Sequence, residues 1–186
     1  MRRIAPSYLW TGSLFLIALL CYVGLIGIRV LYPIAHMEQL VAFADDYSLD
    51  PALVAAIVRC ESRFRADAVS HRGAIGLMQI MPDTGAWIAQ QLGALGFEID
   101  LLYDANLNLQ FGTWYLRHLL NRFGDRADAL AAYNAGPRNV EQWQSGSGTI
   151  FPETAAYVVR VVRSTWIYRL YFRAPWLYRI TPSLLL

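Results

Sequence analysis

Residues 50–82 read DPALVAAIVRCESRFRADAVSHRGAIGLMQIMP, and their pattern decides the fold. Asp50 followed by Pro51 marks a helix start: a side-chain acceptor for free N–H groups, then a ring already set near helical φ. Leu53, Val54, Ile57 and Val58 follow at the spacing of a core-facing helix. On a wheel of about 100° per residue with Leu53 at zero, Ile57, Val54 and Val58 fall at about 40°, 100° and 140°. Glu61 falls at about 80°, in the middle of that apolar face. A carboxyl there must be solvated, paired or neutral, and each unit of pKa rise is worth about 1.4 kcal/mol of preference for the neutral form. Glu61 is therefore a candidate general acid. The other reading ends the helix near Arg59 and leaves Glu61 capping a turn beside Arg63 or Arg65.

Some fifteen residues later, Gly73 and Gly76 bracket a short turn, and Leu77-Met78-Gln79-Ile80-Met81-Pro82 sets one amide among apolar residues. A buried Gln must find hydrogen-bond partners, and a sugar amide or hydroxyl is one kind. Glu61-Ser62 closing a helix, GAIGLMQIMP from Gly73, and Ala132-Tyr133-Asn134-Ala135-Gly136 together resemble the lytic transglycosylases of the goose-lysozyme-like superfamily (glycoside hydrolase family 23). Order and spacing match, and the resemblance covers residues 36–165. It implies an all-α, lysozyme-like helical domain.

All 16 basic residues are Arg, and their distribution is uneven. Residues 30–159 carry 8 Arg against 14 acids, a balance of −6, and residues 160–186 carry 5 Arg and no acid. An acidic domain with a basic tail lacks the even basic footprint of a nucleic-acid binder, so no nucleic-acid partner is expected. Cys21 lies in an apolar segment and Cys60 beside Glu61, which makes a disulfide between them implausible and reads Cys60 as a small buried hydrophobe.

Leu9 to Ile28 are apolar or small and uncharged. About 20 residues at about 1.5 Å each span a bilayer core. Arg2 and Arg3 precede the run, so the positive-inside rule predicts a retained single-pass anchor with a cytoplasmic N-terminus and the rest extracytoplasmic. The run is longer than a cleaved signal requires and ends without an Ala-x-Ala-like site. The expected organisation is a cytoplasmic segment 1–8, an anchor 9–28, a linker 29–35, a catalytic domain 36–165 and an aromatic, Arg-rich tail 166–186.

Helices are expected over 34–47, from Asp50 through the Glu61 region, from Asp83-Thr84 to about Gly93, from the N-cap Asp104 to Gly124, from Arg126 to Asn134, from Pro137 to Trp143, and from Glu153 to about Phe172. Residues 66–81 read as an irregular crossing and 94–103 as a loop, with no strand pattern.

Glycoside hydrolases usually need two carboxyls, and here Glu61 alone reads as a buried acid; Asp67, Asp83 and Glu153 are possible partners, the first two looking like turn or cap residues. The family resemblance implies one glutamate acting first as acid to the glycosidic oxygen and then as base to the C6 hydroxyl of the same N-acetylmuramic acid, closing a 1,6-anhydro ring. It also implies that Ser62 orients the Glu61 region and that Ser70 gives a hydroxyl to the sugar cleft, where a turn residue is the plainer alternative. Gly76, Met78 and Gln79 would line that cleft, with core filling as the alternative for Met78. Tyr133 and Asn134 would bond near the glutamate and the substrate. Tyr157 is expected near the cleft, and Glu153 either in it or capping a helix.

His36, His71 and His118 show no metal-ligand spacing, so no metal and no cofactor is expected; His36 and His118 read as helix residues and His71 as a loop residue near the site. The tail interleaves aromatics with Arg, which suits either a membrane interface or a C-terminal helix packed on the core. The expected partners are peptidoglycan glycan strands and, through the anchor, the membrane. Two alternatives stay open: a hydrolytic muramidase on the same fold, or a non-catalytic peptidoglycan-binding or scaffold protein.

Overall fold

The computed structural model describes residues 6–174. Eight α-helices make up the described chain: α1 (Pro6–Leu31), α2 (Met37–Asp46), α3 (Pro51–Glu61), α4 (Pro82–Leu92), α5 (Ala105–Phe123), α6 (Arg126–Ala135), α7 (Pro137–Gln144) and α8 (Pro152–Arg173). A 3₁₀ turn, Ile99–Tyr103, interrupts the connection before α5. This is the expected all-α architecture.

The core is built around α3, whose residues Ala52 to Val58 are all buried. An eleven-residue helix apolar on every side of its middle turns must be enclosed, and α8 lies along it while α2 packs beside it. Asp50 caps α3 by accepting from Ala52 N at 3.0 Å and pairs with Arg169 of α8 at 2.8 Å. Asp104 caps α5 through Leu107 N, and Asp125 caps α6 through Ala127 N and Asp128 N.

Two stretches differ from expectation. α2 starts at Met37 rather than residue 34, because His36 adopts a left-handed backbone (φ 52°) and precedes the helix as its N-cap. Ile34 still packs on the core, from the linker. The 94–103 loop holds the 3₁₀ turn, which buries Leu102. α8 runs to Arg173, close to the expected end at about Phe172, and Tyr168 and Tyr171 are buried in the same core as α3. The rest of the expected tail, 175–186, and residues 1–5 lie outside the described residues.

The Thr11–Leu31 stretch of α1 is long and apolar enough to cross a membrane, and none of it is buried in the protein. Cys21 on α1 is exposed; Cys60 is only partly buried, and both are free. Burial raises the Cys60 thiol pKa, against a weaker lowering by the Ser164 hydroxyl.

Candidate active site

α3 ends in an unusual way. Arg63 and Phe64, neither of them glycine, both take positive φ (54° and 65°), which stops the helix at Glu61 and throws the chain into the loop. Backbone of that kind persists where the surroundings over-determine it. Ser62 supplies part of that restraint: it is 3 % exposed, and its Oγ donates to Leu77 O at 2.8 Å, with Val58 O at 3.2 Å. The end of α3 is thereby tied to the Gly-Leu-Met-Gln turn.

The loop itself is more ordered than an irregular crossing. Ile75 and Ile80 exchange both backbone bonds at 3.0 Å across a tight turn, and Val69 bridges Ile75 on its other side. Gly76 (φ 81°) and Gln79 (φ 50°) make that turn. Asn108 of α5, fully buried, fills its back: Nδ2 donates to Ile75 O at 2.9 Å and Leu102 O at 2.8 Å, and Oδ1 accepts from Met78 N at 2.7 Å.

In front of this turn lies a cleft of about 580 Å³. Glu61, Ser70, Gln79, Tyr133, Asn134 and Glu153 all line it, joined by His71, Arg72, Met81, Thr84 and Tyr115. Six of the ten expected site residues therefore meet in one cavity.

Glu61 holds the electrostatic centre. Its pKa rises from 4.5 to about 7, chiefly because burial disfavours the charge, while the Tyr157 hydroxyl and the Arg160 guanidinium pull it back. Tyr157 is 2 % exposed. Its Oη has no hydrogen bond of full geometry, yet it stands near enough to Glu61 to favour the carboxylate. Tyr133 donates from Oη to Met78 O at 2.9 Å; burial first, and the Glu61 charge next, push its own pKa far up. It stays a hydrogen-bond donor. Asn134 Oδ1 accepts from Thr154 Oγ1 at 2.9 Å, which anchors the amide to α8.

Other residues sit differently from expectation. Gly76 and Met78 do not line the cleft; they lie beneath its floor. A Cβ on Gly76 would fall 2.2 Å from Asn108 Nδ2 and 2.5 Å from Leu102 O, so the close approach that demands glycine is to the protein's own interior. Met78 is 0 % exposed and packs against Gly112 and Thr113 of α5. It fills the core. Met81, 41 % exposed, faces the cleft instead. Gln79 gives its Nε2 to Ala68 O at 3.0 Å and Gly76 O at 2.9 Å, so only its carbonyl oxygen remains for a ligand. Ser70 serves its turn, accepting from Ala74 N at 2.9 Å, while also reaching the cleft. Glu153 lies in the first turn of α8 and makes no cap bond, since Phe151 is the N-cap. Asp67 and Asp83 are absent from the cleft wall, which leaves Glu61 and Glu153 as its carboxyls among the described residues.

Asn108 escaped the sequence reading although the wheel argument used for Glu61 detects it: it lies about 20° from Leu119 on the apolar stripe of α5. Tyr115 carried no such signal. Among the described residues no group of three or more His, Cys, Asp or Glu is placed to hold a metal ion. His118 lies in α5, stacked on Trp114 at 5.5 Å between ring centroids and edge-on to Trp87 at 5.1 Å.

Comparison with known proteins gives a consistent result. The soluble lytic murein transglycosylase of Escherichia coli K12 is 32% identical over 151 residues, covering 74% of this chain and 23% of that protein. The membrane-bound lytic murein transglycosylase C of Actinobacillus succinogenes is 31% identical over 134 residues, covering 67% of this chain and 36% of that one. A solved structure, an inactive Glu-to-Gln mutant of a lytic transglycosylase from Pseudomonas aeruginosa, superposes with a TM-score of 0.73 at 34% identity, over 79% of this chain and 26% of that chain. The chain thus spans roughly a quarter to a third of the length of these proteins. The transglycosylase SLT domain family matches residues 40–151, more than half of the 186 residues, and the chain belongs to that family.

Proposed function

We propose that the chain is a membrane-anchored lytic transglycosylase that cleaves the β-1,4 bond between N-acetylmuramic acid and N-acetylglucosamine in peptidoglycan. The observation that carries this is Glu61: a carboxyl in a sugar-sized cleft, with a pKa of about 7. A protonated carboxyl at neutral pH is what departure of a glycosidic oxygen requires. Once it has given its proton, the carboxylate takes one from the C6 hydroxyl of the same sugar, and that oxygen closes on C1 to form the 1,6-anhydro ring. An intramolecular nucleophile has a high effective molarity and needs no second carboxylate to activate water. Tyr157 stabilises the carboxylate between the two steps. Tyr133 holds the Met78 carbonyl and so the turn that carries Gln79, and Asn134 and Gln79 offer an amide donor and a carbonyl acceptor to an acetamido group.

Glu153 supports a second reading. As a further carboxyl in the same cleft, it would serve a hydrolytic muramidase as the group that activates water. The product distinguishes the two. Residues 30–186 incubated with purified peptidoglycan should release muropeptides lighter by one water than hydrolytic products, and Glu61→Gln should release none. Reducing-end products would establish the muramidase.

The anchor is α1, apolar and unburied, in keeping with membrane-bound relatives in the family. Arg2 and Arg3 ahead of it support a cytoplasmic N-terminus with the cleft outside. Protease protection of an N-terminal tag in intact cells tests that orientation.

A further inference from the structure

We propose that Arg72, with His71 beside it, is a binding site for carboxylate groups carried by the glycan strand, so that the cleft prefers acid-substituted chains to neutral ones. This rests on the reading that the cleft takes a peptidoglycan strand.

The local chain explains why these two residues face the ligand. Ser70 N donates to Ala74 O at 2.9 Å and Gly73 N to Ser70 O at 2.9 Å. Ser70 Oγ accepts from Ala74 N, and Gly73 turns the chain at φ 82°. The turn is pinned on both sides, and His71 and Arg72 form its tip, exposed and in the cleft wall. Gly73, next in sequence, is half-buried and Ala74 after it is buried.

The charge pattern points to an acid ligand. Arg59, Arg117, Arg122 and Arg169 each hold a backbone carbonyl or a carboxylate of the protein; Arg72, like the exposed Arg63, Arg126, Arg138, Arg163 and Arg173, makes no hydrogen bond or ion pair among the described residues, but among these it is the one in the cleft wall. It is not part of a general basic surface, because residues 30–159 carry 8 Arg against 14 acids. The other charge-bearing groups of the cleft wall are the carboxyls Glu61 and Glu153 and the imidazole of His71. A guanidinium can donate to the hydroxyls of a neutral pyranose, but gains most from an acceptor that carries charge. The planar fork of Arg is suited to a carboxylate, which it grips with two parallel N–H bonds. A glycan strand of the proposed kind offers carboxylates from two sources. One is the lactyl ether of the muramic acid when it is unsubstituted; the other is the stem peptide amide-linked to that lactyl group.

The test is equilibrium binding to the full chain in detergent micelles, carrying Glu61→Gln so that strands stay uncut. Three soluble ligands are compared: glycan strands with stem peptides, the same strands after amidase removal of the stems (free lactyl carboxylates), and chitooligosaccharides, which carry no carboxylate. Arg72→Gln added to this chain should weaken the carboxylate-bearing ligands about three- to tenfold and leave chitooligosaccharide affinity unchanged. Weakening confined to stem-bearing strands assigns the peptide as the source, and weakening of the amidase-treated strands assigns the lactyl group. Arg72 is exposed, so the substitution leaves the core intact. Equal loss for all three ligands, no loss for any, or no binding at all would overturn the inference. Failure of the enzymatic reading shows separately, as an absence of anhydro products from the unmutated chain.

Discussion

Glu61 is the last residue of α3, where the carbonyl end of the helix dipole adds to burial in disfavouring a negative charge. A group whose pKa is raised from 4.5 to about 7 in the folded state binds more protons folded than unfolded between those values. Stability attributable to it is therefore intact below pH 4.5 and is lost as pH climbs through 7. Glu61→Gln removes that penalty. Its unfolding free energy should match the parent near pH 4.5 and exceed it by about 2–3 kcal/mol above pH 7, discounted for partial exposure, as read by urea denaturation across pH. Activity should move oppositely: kcat/KM of the parent should fall about tenfold per pH unit above neutrality as the acid form is lost, and a flat profile from pH 6 to 9 would remove Glu61 from the acid role. Asn108 is the other residue whose loss should be felt well beyond its size. Asn108→Ala removes the side-chain partner of Met78 N and Leu102 O in a dry interior and leaves Ile75 O with its Ile80 N bond alone, and about 2–3 kcal/mol of destabilisation is expected in the same denaturation assay.

The Gly76–Gln79 turn and α5 fit each other atom to atom, and neither side of that fit tolerates growth. A Cβ on Gly112 would fall 2.4 Å from Met78 Sδ and 2.6 Å from Met78 Cβ. The second contact is close to the backbone, so Met78 cannot swing clear. Gly112→Ala should cost about 1–3 kcal/mol and, because the Met78 carbonyl holds Tyr133, should lower kcat more than it changes KM in muropeptide release. Equal effects on both would mean that the shift stops short of Tyr133. Elements differ in how well the chain announces them for similar local reasons. Asp50, Asp104 and Asp125 are cap residues whose side chains bond forward by two or three positions, and Gly93 and Gly124 end helices at positive φ; such signals are complete within a few residues. The left-handed His36, Arg63 and Phe64 carry no such mark, since none is a glycine, and of the three only Phe64 is packed in the core. The inside and outside of the turn were also illegible: the left-handed Gln79 reverses the alternation, which buries Met78 and turns Met81 to the cleft. Glu61 and Asn108, by contrast, both betray themselves as polar residues on apolar helix faces, and only the first was read that way.

Across the whole molecule, the end of the candidate membrane span is joined to α3 by side chains rather than by a free tether. Arg59, two residues before Glu61, donates from Nε to Leu31 O at 2.7 Å and from a terminal nitrogen to Ser164 Oγ at 3.3 Å. Its guanidinium lies 4.0 Å from the Tyr32 ring centre. From α8, Tyr168 donates to Pro33 O at 2.6 Å, and its ring meets Tyr32 edge-on at 6.0 Å. Tyr32, Ile34 and Ala35 pack on the main core, so residues 32–35 pack as part of the domain and fix the end of α1 to it. A domain beginning at residue 37 loses this apolar cover and leaves Tyr168 Oη and Arg59 without their carbonyl partners. It should be less stable than one beginning at residue 30 by about 3 kcal/mol, a fall in Tm of about 6–12 °C for a domain of this size. Tyr168→Phe in the longer domain isolates one component, and about 1 kcal/mol is expected from the lost bond. Equal melting of the two domains would show that the junction is a loose tether, and α1 and the cleft would then move independently.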